Sequence, residues 1–552
     1  MDAMIALSPS LAAAGRIRVY RGATVVDGTG SPRFVADVTV EGSRVVAIGE
    51  GLPDPLPVGV VEVDARGLVL APGFIDMHAH SDLAVLQGAA HRPKLLQGVT
   101  TEVIGQDGIG YAPLDDASAP VIAERIAGWN GTPVALDWRS MDEFLRRIDP
   151  ATAGGVAVLV PQGNLRMMTV GHENRPATAD ELRRMGEILA EALDAGAFGM
   201  SSGLTYAPGM FADTAELEEL CRVVTAHGGY WAPHTRSYGG AALEAYAEAL
   251  DIGRRTGCPI HLTHATMNFA PNRGRAAELL ALVDAALADG VDVTLDTYPY
   301  LPGATTLAAL LPSHLSASGD VVAAVAALDA AGRERVRVEL EEEGCDGFHG
   351  EPADWSVIEV SGTGSEALGG LVGRTIADIA AAEGRATIDV VLDTVVADRG
   401  ATGVLMHIGD EANVQEIMRH PRHTGGSDGI LIGAKPHPRG FGAFPRYLGH
   451  YVRELGVLTL EEAVRHLSGS PAARLGLDRG DAPRGVIRDG ATADLVLFDP
   501  ERIAAGATFE DPRREPTGVV EVLVDGVPVV SGGAVTGETP GHALRKAPAH
   551  SA

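Results

Sequence analysis

The chain has 552 residues, long enough for several domains or one large decorated domain. Apolar residues make up 45% and charged residues 21%, the balance of an ordinary soluble globular protein. A formal net charge of −29 argues against nucleic acid as a partner, because phosphate neutralisation needs clustered Lys and Arg.

No apolar run reaches the roughly eighteen residues of a membrane span. The opening "MDAMIALSPSLAAAG" carries Asp2 and no basic region, which makes it a poor signal peptide. The expectation is a cytoplasmic protein with no membrane partner. Cys221, Cys258 and Cys345 show no CxxC spacing, so neither a disulfide framework nor a thiolate zinc cluster is indicated. Lysine is confined to Lys94, Lys435 and Lys546.

Residues 16–70 read as short strands, in "RIRVYRGATVVDG", "ADVTVEGSRVVAIGE" and "GVVEVDARGLVL". Valine-rich alternation broken by DG and EG turns is a β-sheet pattern. The same texture returns in "DGATADLVLFDP" and "VVEVLVDGVPVVSGGAVTG", which predicts a small β-sandwich domain built from both chain ends, 1–72 and 479–552.

Between them, short apolar strands alternate with Ala/Leu/Glu/Arg helices. Strands are predicted at 73–78, 99–105, 155–164, 197–202, 229–236, 258–265, 291–300 and 423–429. Helices such as "TADELRRMGEILAEALDAG" and "GRAAELLALVDAALADG" separate them. Eight strand–helix repeats specify an α/β fold, a TIM-like (β/α)8 barrel. An open doubly wound sheet is the alternative, but no G-x-G-x-x-G follows the first strand. Barrel strands one to seven occupy 73–308, an inserted α/β subdomain or lid 309–403, and the end of the barrel 404–478. A second long excursion covers 112–155. Inserts of this kind commonly shape substrate access.

On this map the polar residues converge. His78 and His80 in "APGFIDMHAHSD" end strand one, and Asp107 follows strand two in "EVIGQDGIG". His234 ends strand five, His264 strand six and Asp428 strand eight. Every such position opens onto the C-terminal rim of a barrel, where active sites are built. An H-x-H pair or a Ser-Asp-Gly turn alone is ordinary. Four imidazoles and two carboxylates on separate strand ends form a donor set for one or two divalent metals. His91, His227, His420, His450 and His466 lack such placement and read as surface or helix residues.

The motifs "APGFIDMHAHSD", "LLQGVTTEVIGQDGIGYAP", "GAFGMSSGLTYAPG", "DTYPYLPGATT", "GGSDGILIGAKPHPRGFGAFPRYLGHYVRE" and "LTLEEAVRHLSGSPAARLGLDRG" resemble the amidohydrolase superfamily. They resemble more closely its D-aminoacylase (N-acyl-D-amino-acid deacylase) family, over nearly the whole chain. The resemblance implies that His78, His80, His234 and His264 are metal ligands and that Asp428 is the catalytic carboxylate, also in reach of metal. The family's usual second-strand ligand is a cysteine in a G-N-C-G turn. The matching turn here is Gly105-Gln106-Asp107-Gly108, so a carboxylate replaces the thiolate. Other superfamily members use a carboxylated lysine on strand four, and "AFGMSSGL" has none, which leaves Asp107 as the bridging anion. A carboxylate is harder than a thiolate, so zinc is expected, with Mn2+ or Co2+ tolerated.

The chemistry implied is hydrolysis of a linear amide by metal-activated water, with Asp428 as general base and acid. Tyr206 or Tyr298 is placed to assist the oxyanion. For substrate binding the resemblance implies Arg439 and Tyr298 on the amino-acid carboxylate. Where the family has a lysine this chain has Thr266, and where it has a serine this chain has Ala304, with Thr305 beside it. Arg236 either compensates or braces its loop. The alternatives are an amidohydrolase of another amide, cyclic or without a free α-carboxylate, and a catalytically silent structural homologue. The partner is a small-molecule amide, and an exposed β-domain is the place for a homo-oligomer contact.

Overall fold

The structure is a computed structural model that describes residues 7–49, 56–131, 135–317 and 319–547. Eight parallel strands follow one another in sequence and in space: Phe74–Asp76, Val99–Ile104, Gly155–Pro161, Gly199–Gly203, Tyr230–His234, Ile260–Leu262, Val293–Thr297 and His423–Gly425. The first and last are drawn together by Met77 N–H to Gly425 O (3.1 Å) and Asp428 N–H to His78 O (2.8 Å). A parallel bridge from Ala79 to Gly429 continues that closure. Every residue of all eight strands is buried. Helices cover the outside and side chains fill the inside, so the strands are mostly apolar or small, with polar exceptions such as Asp76, Glu102, His261 and Asp296 buried among them.

Helices Ala179–Asp194, Thr214–Ala226, Ala242–Thr256 and Ala276–Ala288 pack outside the barrel. The first is started by a capping box, with Thr178 Oγ1 accepting from Glu181 N–H and the Glu181 carboxylate accepting from Thr178 N–H. The predicted third strand ran to 164, but the strand stops at Pro161 and helix Gln162–Thr169 begins at once. Proline has no N–H to give a ladder, which favours the switch there.

The texture shared by the two chain ends reflects real pairing. Leu495–Phe498 lies antiparallel on Val69–Pro72, with Leu495 opposite Pro72, and joins them in one nine-stranded sheet. The expected sandwich is thus a single hydrogen-bonded sheet with a core on each face. One face packs on Val25, Val38, Leu70, Leu495 and Leu523. The other lays Ala71, Val496 and Phe498 against Phe74, Phe444 and Tyr447 of the barrel, where Phe74 and Phe444 stack 5.7 Å apart.

After the seventh barrel strand a three-stranded sheet rises over the rim. Gly303–Thr306 pairs with Gly403–Met406, which pairs with Ile358–Gly362. The edge strand Ile358–Gly362 lies in the predicted insert, whereas Gly303–Thr306 and most of the central strand Gly403–Met406 come from stretches predicted as barrel. Among the described residues no helix is long and apolar enough to cross a membrane.

Candidate metal centre

His78 and His80 lie just past the first strand, which ends at Asp76, with their ring centres 5.2 Å apart. Asp107, His264 and Asp428 stand in loops just past strands two, six and eight, and each takes a positive φ: 54°, 31° and 48°. Asp and His are among the residues that tolerate this region best. Such strain persists where the surroundings over-determine it, as at functional sites. The Asp107 turn is pressed against the fourth strand so closely that a side chain on Gly203 would meet Asp107 O at 2.0 Å. His234 is the last residue of the fifth strand.

The six side chains meet around Asp107. Its Oδ1 lies 3.6 Å from His78 Nε2 and 3.4 Å from His264 Nε2. Its Oδ2 lies 3.4 Å from His80 Nε2 and 3.6 Å from His234 Nδ1. Asp428 Oδ1 is 3.1 Å from His80 Nε2. Two overlapping groups result, His78–His80–Asp107–Asp428 and Asp107–His234–His264, with ligand atoms inside 4.8 Å of one another in each. Asp107 belongs to both. All six residues are buried. Burial alone drives the His78 imidazole towards neutrality, but Asp107, Asp296 and Asp428 outweigh it and hold its pKa well above the ordinary value. The histidines in turn hold Asp107 well below the carboxylate range, against its own burial.

The donor set fits divalent metal. Both ring nitrogens of His78 and Oδ1 of Asp107 are buried without a hydrogen-bond partner among the described residues, an arrangement that is expensive unless a cation takes the lone pairs of one His78 nitrogen and of Asp107. The far nitrogens are oriented from behind. His234 Nε2 lies 2.7 Å from Thr205 Oγ1, and His264 Nδ1 lies 3.1 Å from Tyr238 Oη. Asp296 holds His261 Nε2 at 3.0 Å and accepts the His264 backbone N–H.

The predicted substrate residues surround this cluster. Tyr206, Thr266, Tyr298, Ala304 and Thr305 line a cavity of about 70 Å³ that opens on Asp107 and Asp428. Tyr206 Oη lies 3.3 Å from Thr305 Oγ1. Arg439 is fully buried behind Tyr298, its guanidinium 4.3 Å from the ring centre. Its Nη2 lies 2.8 Å from Asp428 Oδ2, so the arginine expected to be free for substrate is also an Asp428 neighbour. Its Nε and Nη1 have no hydrogen-bond partner among the described residues. Arg236 is spent on Glu248 and the carbonyls of Met210 and Ala212, which settles it as a loop brace.

Three histidines read as surface or helix residues are buried. His91 is buried with Nε2 2.6 Å from Glu102 Oε1, and His466 is buried against His423. His420 is also buried, on Asp284. Among the lining residues that sequence reasoning missed are Trp129, Tyr238, Asn268 and His349. Trp129 comes from the 112–155 excursion and sets its ring 5.2 Å from His80 and 5.2 Å from Tyr206. His349 comes from the inserted segment. Burial together with His234 and His264 pushes its imidazole down to about 3, so it is neutral. Lys94 also belongs to the structure around the site. It is buried between Asp76 and Ser427, next to Asp428 in sequence.

Residues 61–530 match the amidohydrolase family model. The chain is 36% identical over 525 residues to a D-aminoacylase of Alcaligenes xylosoxydans xylosoxydans, covering 95% of this chain and 96% of that one. It is 36% identical over 530 residues to an N-acyl-D-glutamate deacylase of the same organism, with 96% of each covered. Among solved structures it is similar to the N-acyl-D-glutamate deacylase of Bordetella bronchiseptica complexed with zinc and a phosphonate mimic of the tetrahedral intermediate. The TM-score there is 0.80 at 33% identity, over 96% of this chain and 99% of that one.

Proposed function

The chain belongs to the amidohydrolase family, and on that premise we propose that it hydrolyses N-acyl-D-amino acids to the acyl acid and the free amine. The observation that carries this reading is the adjacency of a buried His4Asp2 cluster to a guanidinium stacked on a phenol, Arg439 on Tyr298. The first is the equipment for a C–N hydrolysis, the second for a carboxylate attached to the amine.

In this reading His78, His80, Asp107, His234, His264 and Asp428 hold the metal, with zinc as the first candidate. When bound, the ion supplies Lewis acidity to the amide carbonyl and acidifies water to a pKa near ~7. Asp428 moves the proton, accepting it from the attacking water and returning it to the departing nitrogen. Arg439 at Oδ2 fixes the carboxylate plane and keeps Asp428 ionised. Tyr298, raised to about 12 by burial against the opposing pull of Arg439, is protonated and donates to the substrate carboxylate beside Arg439. Thr266 and Thr305 line that end of the cavity. Tyr206 faces it from the other side, also kept protonated by burial, as a donor to the developing oxyanion.

The test is amine release from matched N-acetyl-D- and N-acetyl-L-amino acids by zinc-loaded protein. Turnover confined to the D-series is expected. Silence across both series would replace this substrate by an amide without a free α-carboxylate.

A further inference from the structure

Beside the metal-facing cavity lies a second one of about 390 Å³, within the size range of small-molecule sites. The two share Trp129 and Tyr206, the ring pair that touches His80 and His234. The larger cavity is therefore one aromatic layer away from the metal donors. Its walls are largely apolar, with Ile109, Val121, Ile126 and Leu311 among them.

Two polar groups in this wall, and a third behind it, have no hydrogen-bond partner among the described residues. Trp129 Nε1 is buried with no hydrogen-bond partner among the described residues. Arg125 makes no ion pair or hydrogen bond among the described residues, although its neighbour Glu124 does, with Arg399 of the same cavity at 3.1 Å. Arg125 is partly buried on the cavity wall, and desolvation lowers its guanidinium to about 10. His172 Nδ1 is likewise unpartnered, and the ring stands against Gly319 of the same cavity. The cavity's other carboxylate, Asp320, caps helix Val321–Ala326. An arginine left unpaired in an apolar chamber fits a ligand that brings its own anion.

The position fixes which part of the substrate arrives there. Arg439 and Tyr298 lie past the eighth and seventh barrel strands, whereas Trp129 and Tyr206 lie past the second and fourth. In a linear amide the amine's carboxylate and the acyl tip are at opposite ends, with the scissile bond between them. We propose that the larger cavity is the acyl subsite and that Arg125 binds a carboxylate at the far end of the acyl chain, so that N-(ω-carboxyacyl) amino acids are preferred over N-acetyl ones. Water adds across the C–N bond, and the products are a dicarboxylic acid and the amine. This rests on the deacylase reading above.

The experiment compares N-octanoyl and N-suberoyl derivatives of one D-amino acid, equal in chain length and differing in the terminal carboxylate. The wild-type kcat/KM ratio, suberoyl over octanoyl, is expected to be about tenfold, the value of one charge-assisted contact. In Arg125→Gln that ratio should collapse towards one, and in Arg125→Lys, which restores a cation, it should partly return. A wild-type ratio of one, or a ratio unchanged in Arg125→Gln, overturns the proposal. Calorimetric titration of the full chain with free suberate and free octanoate separates this from failure of the deacylase reading. If no N-acyl compound is turned over, tighter suberate binding that is lost in Arg125→Gln still supports the subsite. Equal binding of the two acids refutes it.

Discussion

Replacing Lys94 by methionine should be among the most damaging single changes outside the metal donors. Lys94 Nζ lies 2.5 Å from Asp76 Oδ2 and 2.6 Å from Ser427 Oγ, with lysine and aspartate side chains 1% and 0% exposed. Asp76 Oδ1 also accepts the Ser427 N–H at 2.8 Å. This triad ties the first barrel strand to the loop after the eighth, one residue before Asp428. Methionine fills similar volume but leaves the Asp76 carboxylate buried without its cation. Breaking one side of a buried pair in this way costs about 3–5 kcal/mol. Denaturant unfolding should show a loss of that size, and kcat should fall because Asp428 loses its tether. The double variant Lys94→Met/Asp76→Leu removes both charges and should regain most of the stability, since an apolar replacement of the whole pair is often near neutral. A Lys94→Met protein as stable as the parent would refute the reasoning. So would a double variant no better than the single one.

Asp107→Ala removes the carboxylate common to both donor groups, and metal content measured after dialysis should drop for both ions together. Asp107→Cys should keep zinc while losing manganese, as thiolate softness dictates; equal retention of both would count against the bridging role. Asp428→Asn should lower kcat by about 10²–10⁴, the usual worth of general acid–base catalysis. Glu102 gives a pH prediction. Burial pushes its carboxyl up, but His91, Lys94 and Ser81 outweigh burial and hold it at about 2, against an ordinary 4.5. A depressed acid contributes stability above its unfolded pKa and loses it as pH falls through the folded value. The contribution, about 3 kcal/mol at most, should vanish between pH 4.5 and 2. Glu102→Gln should flatten the melting profile in that window, and parallel profiles would contradict the assignment.

The barrel was legible because its strands are short, rich in apolar and small residues, and regularly spaced between helices, and that pattern survives in a single sequence. The positions of His78, His234 and Asp428 followed, since a strand end in a barrel has one place to open. The valine-rich ends were legible for the opposite reason, as alternation marks strands that share a sheet with solvent nearby. What escaped the sequence is contact between distant segments. His91 looks like a surface residue until Glu102 on the second strand is placed 2.6 Å away. Arg439 could be assigned to a substrate, but not to Asp428, because it opens the helix after the strand-eight loop and tertiary packing sets its approach to Asp428. Trp129 and His349 reach the site from long excursions that carry no period. The positive φ of Asp107, His264 and Asp428 is likewise imposed by neighbours, Gly203 among them, rather than by local sequence.

The central claim is that the six converging side chains are a metal centre that hydrolyses amides. The direct measurement is amine release from an N-acetyl-D-amino acid, followed in one preparation as purified, after chelation, and after zinc is restored, with metal content assayed at each stage. Activity that disappears on chelation and returns in proportion to bound zinc is the expected result. Full turnover by protein shown to be free of metal would contradict the account.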